Sequence, residues 1–198
     1  MTKQMRVNVM VLVIGLLALS VAACATRTDD TSNVTTSSSP SNAAKSNVAP
    51  SMSDADRQFM TDAAQGGKTE VQLGYLAVQK AVSNDVKQFG QRMIDDHSQA
   101  NNELMQLAAN KTVTLPSELK SEQQETMNRL ANLSGKEFDR AYMAEMLKDH
   151  KEDVAKFEQA ANQATDPALK SWANKTLPTL RQHLEMATET ANKVGVKQ

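Results

Sequence analysis

From Ser53 to Gly195 the apolar residues fall into four successive stripes, each about 28 residues long and spaced by threes and fours. That spacing gathers the apolar residues of each stripe on one side of an α-helix. The first stripe is Phe59, Ala63, Gly66/Gly67, Glu70, Leu73, Ala77 and Ala81, and it predicts helix A from Ser53 or Asp54 to Val82. The second is Val86, Phe89/Gly90, Met93, His97, Ala100, Leu104 and Leu107/Ala108, giving helix B to about Asn110. The third is Phe138/Asp139, Tyr142/Met143, Met146, His150, Val154, Phe157 and Ala161, giving helix C from about Lys136 to Ala164. The fourth is Leu169, Trp172/Ala173, Thr176, Leu180, His183, Ala187 and Thr190/Ala191, giving helix D to about Lys193. Four amphipathic rods of equal length have one economical solution, an all-α bundle around a single core.

The breaks between the stripes set the topology. Ser83-Asn84-Asp85 is a short turn that also caps helix B, and Thr165-Asp166-Pro167 supplies an N-cap and a first-turn proline for helix D. Gly66-Gly67 in helix A marks a bend or a close helix contact, Pro178 predicts a kink in helix D, and Gly195 ends it. Between helices B and C lies a long connection, residues 111–134. It opens with an extended stretch to Pro116, after which Ser117 starts a short amphipathic helix with Leu119, Met127, Leu130 and Leu133, ended by Gly135. Connections that run short, long, short fit a ferritin-like four-helix bundle in which B and C are parallel, with a short extra helix in the crossover. A simple up-down bundle with a capping helix is the alternative.

Polar residues stand inside those apolar stripes. Arg92-Met93-Ile94-Asp95-Asp96-His97 is echoed by Glu145-Met146-Leu147-Lys148-Asp149-His150, and each His points inward. His183 and Glu70 hold the equivalent place in helices D and A. Each of the four lies near the midpoint of its own helix, and midpoints stay level whichever way a helix runs. Glu70, His97, His150 and His183 are therefore expected to converge halfway along the bundle. Burying them is costly unless they satisfy one another or bind something. Imidazole and carboxylate together suit one transition-metal ion such as Zn, Fe, Mn or Cu. Asp96 and Asp149 are candidate acceptors for imidazole N–H groups, each for a His of a neighbouring helix, since adjacent residues on one helix point apart. The competing reading is a polar layer that fixes helix register and binds no ligand. Met93, Met146 and Met186, each one turn from a His, are possible soft ligands for copper and equally ordinary core filler.

Other chemistry is sparse. There is no phosphate-binding glycine loop, nucleophile elbow, HExxH or cysteine pair, so no reaction is indicated and a non-enzymatic role is favoured. The formal net charge of −1 and the lack of a basic face argue against nucleic acid. A monomer and a homodimer fit equally well.

The N-terminus reads as an address. Lys3 and Arg6 precede an apolar run, Val7 to Leu19, of signal-peptide length. Leu19-Ser20-Val21-Ala22-Ala23-Cys24 resembles the lipobox of bacterial lipoproteins, which implies cleavage after residue 23 and acylation of Cys24, the only cysteine. Ala25 after the Cys favours the outer membrane, by analogy with enterobacterial sorting. Residues 24–52 are Ser/Thr/Asn-rich and form a tether too polar to fold. The organisation expected is a signal peptide (1–23), the tether (24–52), a bundle domain (53–194) and a short tail (195–198). The membrane is thus a partner through the lipid anchor, with the body facing the periplasm.

Several stretches together resemble the bacterial family called domain of unknown function 4142. They are Glu70-Val71-Gln72-Leu73-Gly74 with Leu76-Ala77; Phe89 to His97; Phe138 to Tyr142 with Asp149-His150; and Leu177-Pro178 with His183-Leu184 and Met186-Ala187. The resemblance spans about residues 54–190. It implies a ferritin-like helical bundle behind a signal peptide and no established reaction. The di-iron pattern of ferritins calls for Glu three residues before His, where this chain has Ile94, Leu147 and Leu180. A mononuclear site fits better. The echo also relates helix B to C, whereas a ferritin-type duplication relates A–B to C–D.

Overall fold

The computed structural model is described for residues 52–197. The expected signal peptide, Cys24 and nearly all of the tether lie outside the described residues. Five α-helices follow in order: α1 Asp54–Lys80, α2 Asn84–Asn110, α3 Ser121–Ala131, α4 Gly135–Gln163 and α5 Pro167–Val194. The four long ones are helices A to D of the sequence pattern. No described helix is long and apolar enough to cross a membrane.

The caps explain most boundaries. The Ser53 side chain accepts from the backbone N–H of Asp56, and Asp166 accepts from Ala168 and Leu169, with Pro167 in the first turn of α5. Helix α1 stops at Lys80 and not at the expected Val82. The N–H groups of Val82 and Ser83 are held at 3.1 and 2.8 Å by the buried Asp139 carboxylate of α4. The short helix starts at Ser121 and not at Ser117. Ser117 and Glu118 turn their carbonyls to Lys68 and Gln65 of α1, while Gln123 closes back on the Lys120 N–H to begin α3. Gly135 does not end the short helix, which stops at Ala131; it opens α4, in the left-handed region at φ 60°. Helix α5 runs through the exposed Pro178 as one element.

Cross-helix pairs settle the topology. Down the α1–α4 face, Asp56 bonds to Thr165, Glu70 meets His150, and Val82 bonds to Asp139. As numbers rise on α1 they fall on α4, so these helices are antiparallel. The same holds between α2 and α5, through Asp85 with Lys193, Asp96 with His183 and Glu103 with Lys175. Helices α1 and α2 form an antiparallel hairpin so close that a Cβ on Gly74 would lie 2.6 Å from the Gly90 carbonyl oxygen. Helices α2 and α4, both antiparallel to α1, are therefore parallel to each other. Residues 111–134 carry the chain from one end of the bundle to the other along α1, where Lys80 holds the carbonyls of Ala131 and Leu133. This is the crossover arrangement and not the up-down one.

Two apolar clusters fill the bundle. One, toward the α1–α2 turn, includes Leu73, Phe89, Met93, Phe138, Tyr142, Met146 and Ala187. The other, toward the α4–α5 turn, includes Met60, Leu104, Phe157, Leu169, Trp172 and Leu180. Burial of each such large side chain is worth about 1.5–3 kcal/mol. Met52, which composition assigns to the tether, is buried in the second cluster, so the folded body reaches back at least that far.

Candidate metal centre

On every long helix a buried Glu or His stands between the two clusters. Glu70 lies between Met60 and Leu73, His97 between Met93 and Leu104, His150 between Leu147 and Phe157, and His183 between Leu180 and Ala187. The expected level therefore exists, and all four side chains are buried in it: Glu70 is 2% exposed, His97 6%, and His150 and His183 0%.

The three imidazoles form a triangle with ring centroids 5.3, 5.3 and 5.8 Å apart. One ring nitrogen from each can be chosen so that all three lie within 4.8 Å of one another. One nitrogen of each ring has a polar atom beside it. His183 Nε2 donates to Asp96 Oδ2 at 2.8 Å, His150 Nδ1 donates to the Met146 carbonyl at 2.9 Å, and His97 Nδ1 lies 2.9 Å from Glu70 Oε2. The last approach is close but poorly directed, and neither Glu70 oxygen has a hydrogen bond that meets angular criteria. The nitrogens left without a partner are His97 Nε2, His150 Nε2 and His183 Nδ1. Glu70 Oε1 stands 3.5 Å from the bare His150 Nε2, two electron-rich atoms face to face.

Electrostatics follow from burial. Desolvation drives each imidazole down to about 4, so all three are neutral at pH 7, with lone pairs available. Burial raises the Glu70 carboxyl above its ordinary range, against the pull of His150 and Lys156. For Asp96, burial also acts upward, but hydrogen bonds from His183 and Arg92 outweigh it and hold the carboxyl below its usual value.

The sequence-based expectations fare unevenly. Asp96 accepts from a His of a different helix, as the helix geometry requires. Asp149 does not reach an imidazole: among the described residues it has no such bond and instead lines a cleft between α1, α3 and α4. It is half-buried there and pushed up to about 7 by burial, then by Glu145 and Glu70. Met93 and Met146 are fully buried in the apolar cluster on one side of the level, and Met186 packs against that cluster. Trp172 stacks in the opposite cluster with Phe59 and Phe157. Tyr75 is 53% exposed and belongs to no core. Asp153 is not among the residues that the sequence pattern singles out. It is half-buried beside Glu70 and raised to about 7, first by burial and then by the Glu70 charge. Its position one turn after Asp149 and three residues after His150 was the available signal.

The model of the family described as "Domain of unknown function (DUF4142)" matches residues 41–190. The chain belongs to that family. The match covers all four polar positions and leaves out only the last turn of α5. Two solved structures share the fold. A DUF305 fragment from Deinococcus radiodurans is 12% identical, with a TM-score of 0.65 over 73% of this chain and 99% of that one. A putative secreted DUF305 protein from Streptomyces coelicolor is 14% identical, with a TM-score of 0.63 over 72% of this chain and 94% of that one. At such identities the likeness shows the helical-bundle fold alone. Comparison with curated protein sequences gives no match.

Proposed function

We propose that the central level binds one first-row transition-metal ion, and that the protein is a metal-binding lipoprotein of the bacterial envelope. The observation that carries this reading is the gathering of three buried imidazoles, one ring nitrogen of each within 4.8 Å of the others, with Glu70, the Met146 carbonyl and Asp96 each beside a ring nitrogen. Metal-bound histidines are oriented in this way by acceptors behind the ring. Donors of a tetrahedral zinc site lie about 3.3 Å apart, given bonds of about 2.0–2.1 Å. The imidazoles need only close in slightly to meet that geometry. His97, His150 and His183 supply the neutral donors. Glu70 supplies negative charge, with Oε2 on His97 and Oε1 facing the bare nitrogen of His150. A cation there removes the repulsion between that oxygen and that nitrogen.

Three imidazoles suit Zn, Fe, Cu or Ni better than Mg or Ca. The role proposed for the level is metal binding or buffering. The lipobox-like Ala22-Ala23-Cys24 and the polar segment after it support attachment to a membrane, with Ala25 favouring the outer one. The Streptomyces neighbour is described as a putative secreted protein, in keeping with an extracytoplasmic address.

Titration of the purified protein with Zn(II) tests the reading. One equivalent is expected to bind, with His150→Ala weakening binding at least 100-fold and Glu70→Gln and Asp96→Asn about 10–100-fold. No binding of Zn(II), Fe(II), Cu(I) or Ni(II) by the native protein would leave only a register-fixing polar layer.

A further inference from the structure

Glu70 is buried, yet it also forms the floor of a cleft between α1, α3 and α4 with a volume of about 250 Å³, room for several waters. We propose that this cleft is the passage by which the metal cation reaches the imidazoles, and that Gly66 is the residue that keeps it open. The inference rests on the metal-centre reading above.

Glycine is the residue least suited to a helix interior short of proline, so a mid-helix glycine calls for a reason. Packing supplies one for its neighbours. A Cβ on Gly67 would lie 2.3 Å from Asn101 Oδ1, and one on Gly90 2.7 Å from Ala77 Cβ. Packing supplies none for Gly66. A Cβ there would meet only Asp153 Oδ2, at 4.0 Å, and the backbone is not left-handed. What Gly66 lacks is a side chain that would lie in the cleft, on the face of α1 one turn before Glu70. The gap it leaves lies between Glu70 and water.

The lining selects for cations. Its lysines are engaged by carboxylates of the same walls: Lys120 with Asp62 at 2.5 Å, Lys148 with Glu145 at 3.6 Å, and Lys156 with Glu152 at 3.5 Å and Asp153 at 3.7 Å. Asp149 and Asp153, one turn apart on α4, lead inward to Glu70, whose oxygens lack a directed hydrogen bond. A cation entering there exchanges water for oxygen donors before meeting nitrogen.

Stopped-flow mixing of the full-length protein with Zn(II), and release into excess chelator, separates this passage from the binding site itself. With Gly66→Leu, association and release are expected to slow together by tenfold or more, with less than a twofold change in Kd. Gly66→Ala is expected to raise Tm and leave both rates within about threefold. As a second line, native association slows with added salt, and Asp149→Asn with Asp153→Asn flattens that dependence. Unchanged rates in Gly66→Leu, or a salt dependence that survives the double substitution, would overturn the passage while the metal centre stood. A native protein that binds no metal would remove both.

Discussion

The α1–α2 and α4–α5 hairpins are built to one plan at their ends and to different plans in the middle. At the ends, Asp56 of α1 accepts from the N–H groups of Thr165 and Asp166 in the α4–α5 turn. Asp139 of α4 does the same for Val82 and Ser83 in the α1–α2 turn. One spacing along the chain relates Asp56 to Asp139, Val82 to Thr165, Phe89 to Trp172, Gly90 to Ala173, and Thr112 to Gly195. The hairpins are thus related as a ferritin-type duplication requires, and the similar stretches before His97 and His150 fall outside that relation. At the centre the equivalence stops. His97 corresponds to Leu180, His183 to Ala100, and His150 to Gly67, while Glu70 alone meets a residue of its kind, Asp153. A repeated frame encloses a single asymmetric cluster. That suits one metal ion and not the symmetric pair of a di-iron carboxylate protein.

The two regions also differ in how their buried polar atoms are satisfied. Asp56 takes bonds from Thr165 N, Thr165 Oγ1 and Asp166 N. The centre leaves three imidazole nitrogens and both Glu70 oxygens without directed bonds. Unpartnered atoms also occur at Gln65, Tyr142 and Trp172, but what marks the centre is that its three imidazoles lie together. If the end carboxylates serve only the frame, Asp56→Ala and Asp139→Ala should each cost about 2 kcal/mol, because each strands two N–H donors at a partly buried turn. Urea melts measure the loss, and Zn(II) affinity in the folded variants should stay within about twofold of native. A tenfold drop in affinity with either substitution would mean that the ends and the centre are not separate devices.

Acid should distinguish them too, with a smaller effect. Burial holds the three imidazoles at about 4, against an ordinary value of 6.5. Between those values the unfolded chain binds protons on these residues that the folded chain refuses, so their contribution to stability falls as pH drops from about 6.5 toward 4. Glu70, Asp149 and Asp153, all raised by burial, work in the opposite sense as they protonate, so the imidazole loss is partly offset in metal-free protein. For Asp56, burial pushes upward, but bonds from Thr165 and Asp166 prevail and hold it below 3.8. Its contribution is present above that value and lost only below it. Imidazole NMR shifts of metal-free protein that titrate near 6.5 and not near 4 would contradict the neutral, buried imidazoles.

The helices and the level of the four polar residues were legible because both follow from the same periodicity. An inward His at midhelix is inward and midhelix in any topology. What the pattern could not show was anything set by a partner distant in sequence. Helix α1 ends early because Asp139 takes the next two N–H groups, and α3 starts late because Lys68 and Gln65 take the carbonyls before it. The places of Asp149 and Asp153 were hidden for a related reason. Asp149 was expected at an imidazole and Asp153 was not singled out, while the wall that half-buries both comes from α1 and α3.

The finest difference between the hairpins lies at their far ends. Helix α5 finishes on Gly195 at φ 81°, with Val196 N bonding back to Ala191 O at 2.9 Å. Helix α2 finishes through the equivalent bond, Val113 N to Ala108 O at 2.9 Å, but the left-handed residue there is Thr112 at φ 54°. A β-branched residue is strained in that region and glycine is not. Thr112→Gly should therefore stabilise the protein by about 1 kcal/mol, with the gain in the folded state partly offset by a more flexible unfolded chain. A Tm higher by a few degrees checks it. A lower Tm would mean that Thr112 stiffens the start of the crossover more than its backbone strains, and that the two hairpins end alike in geometry but not in energetics.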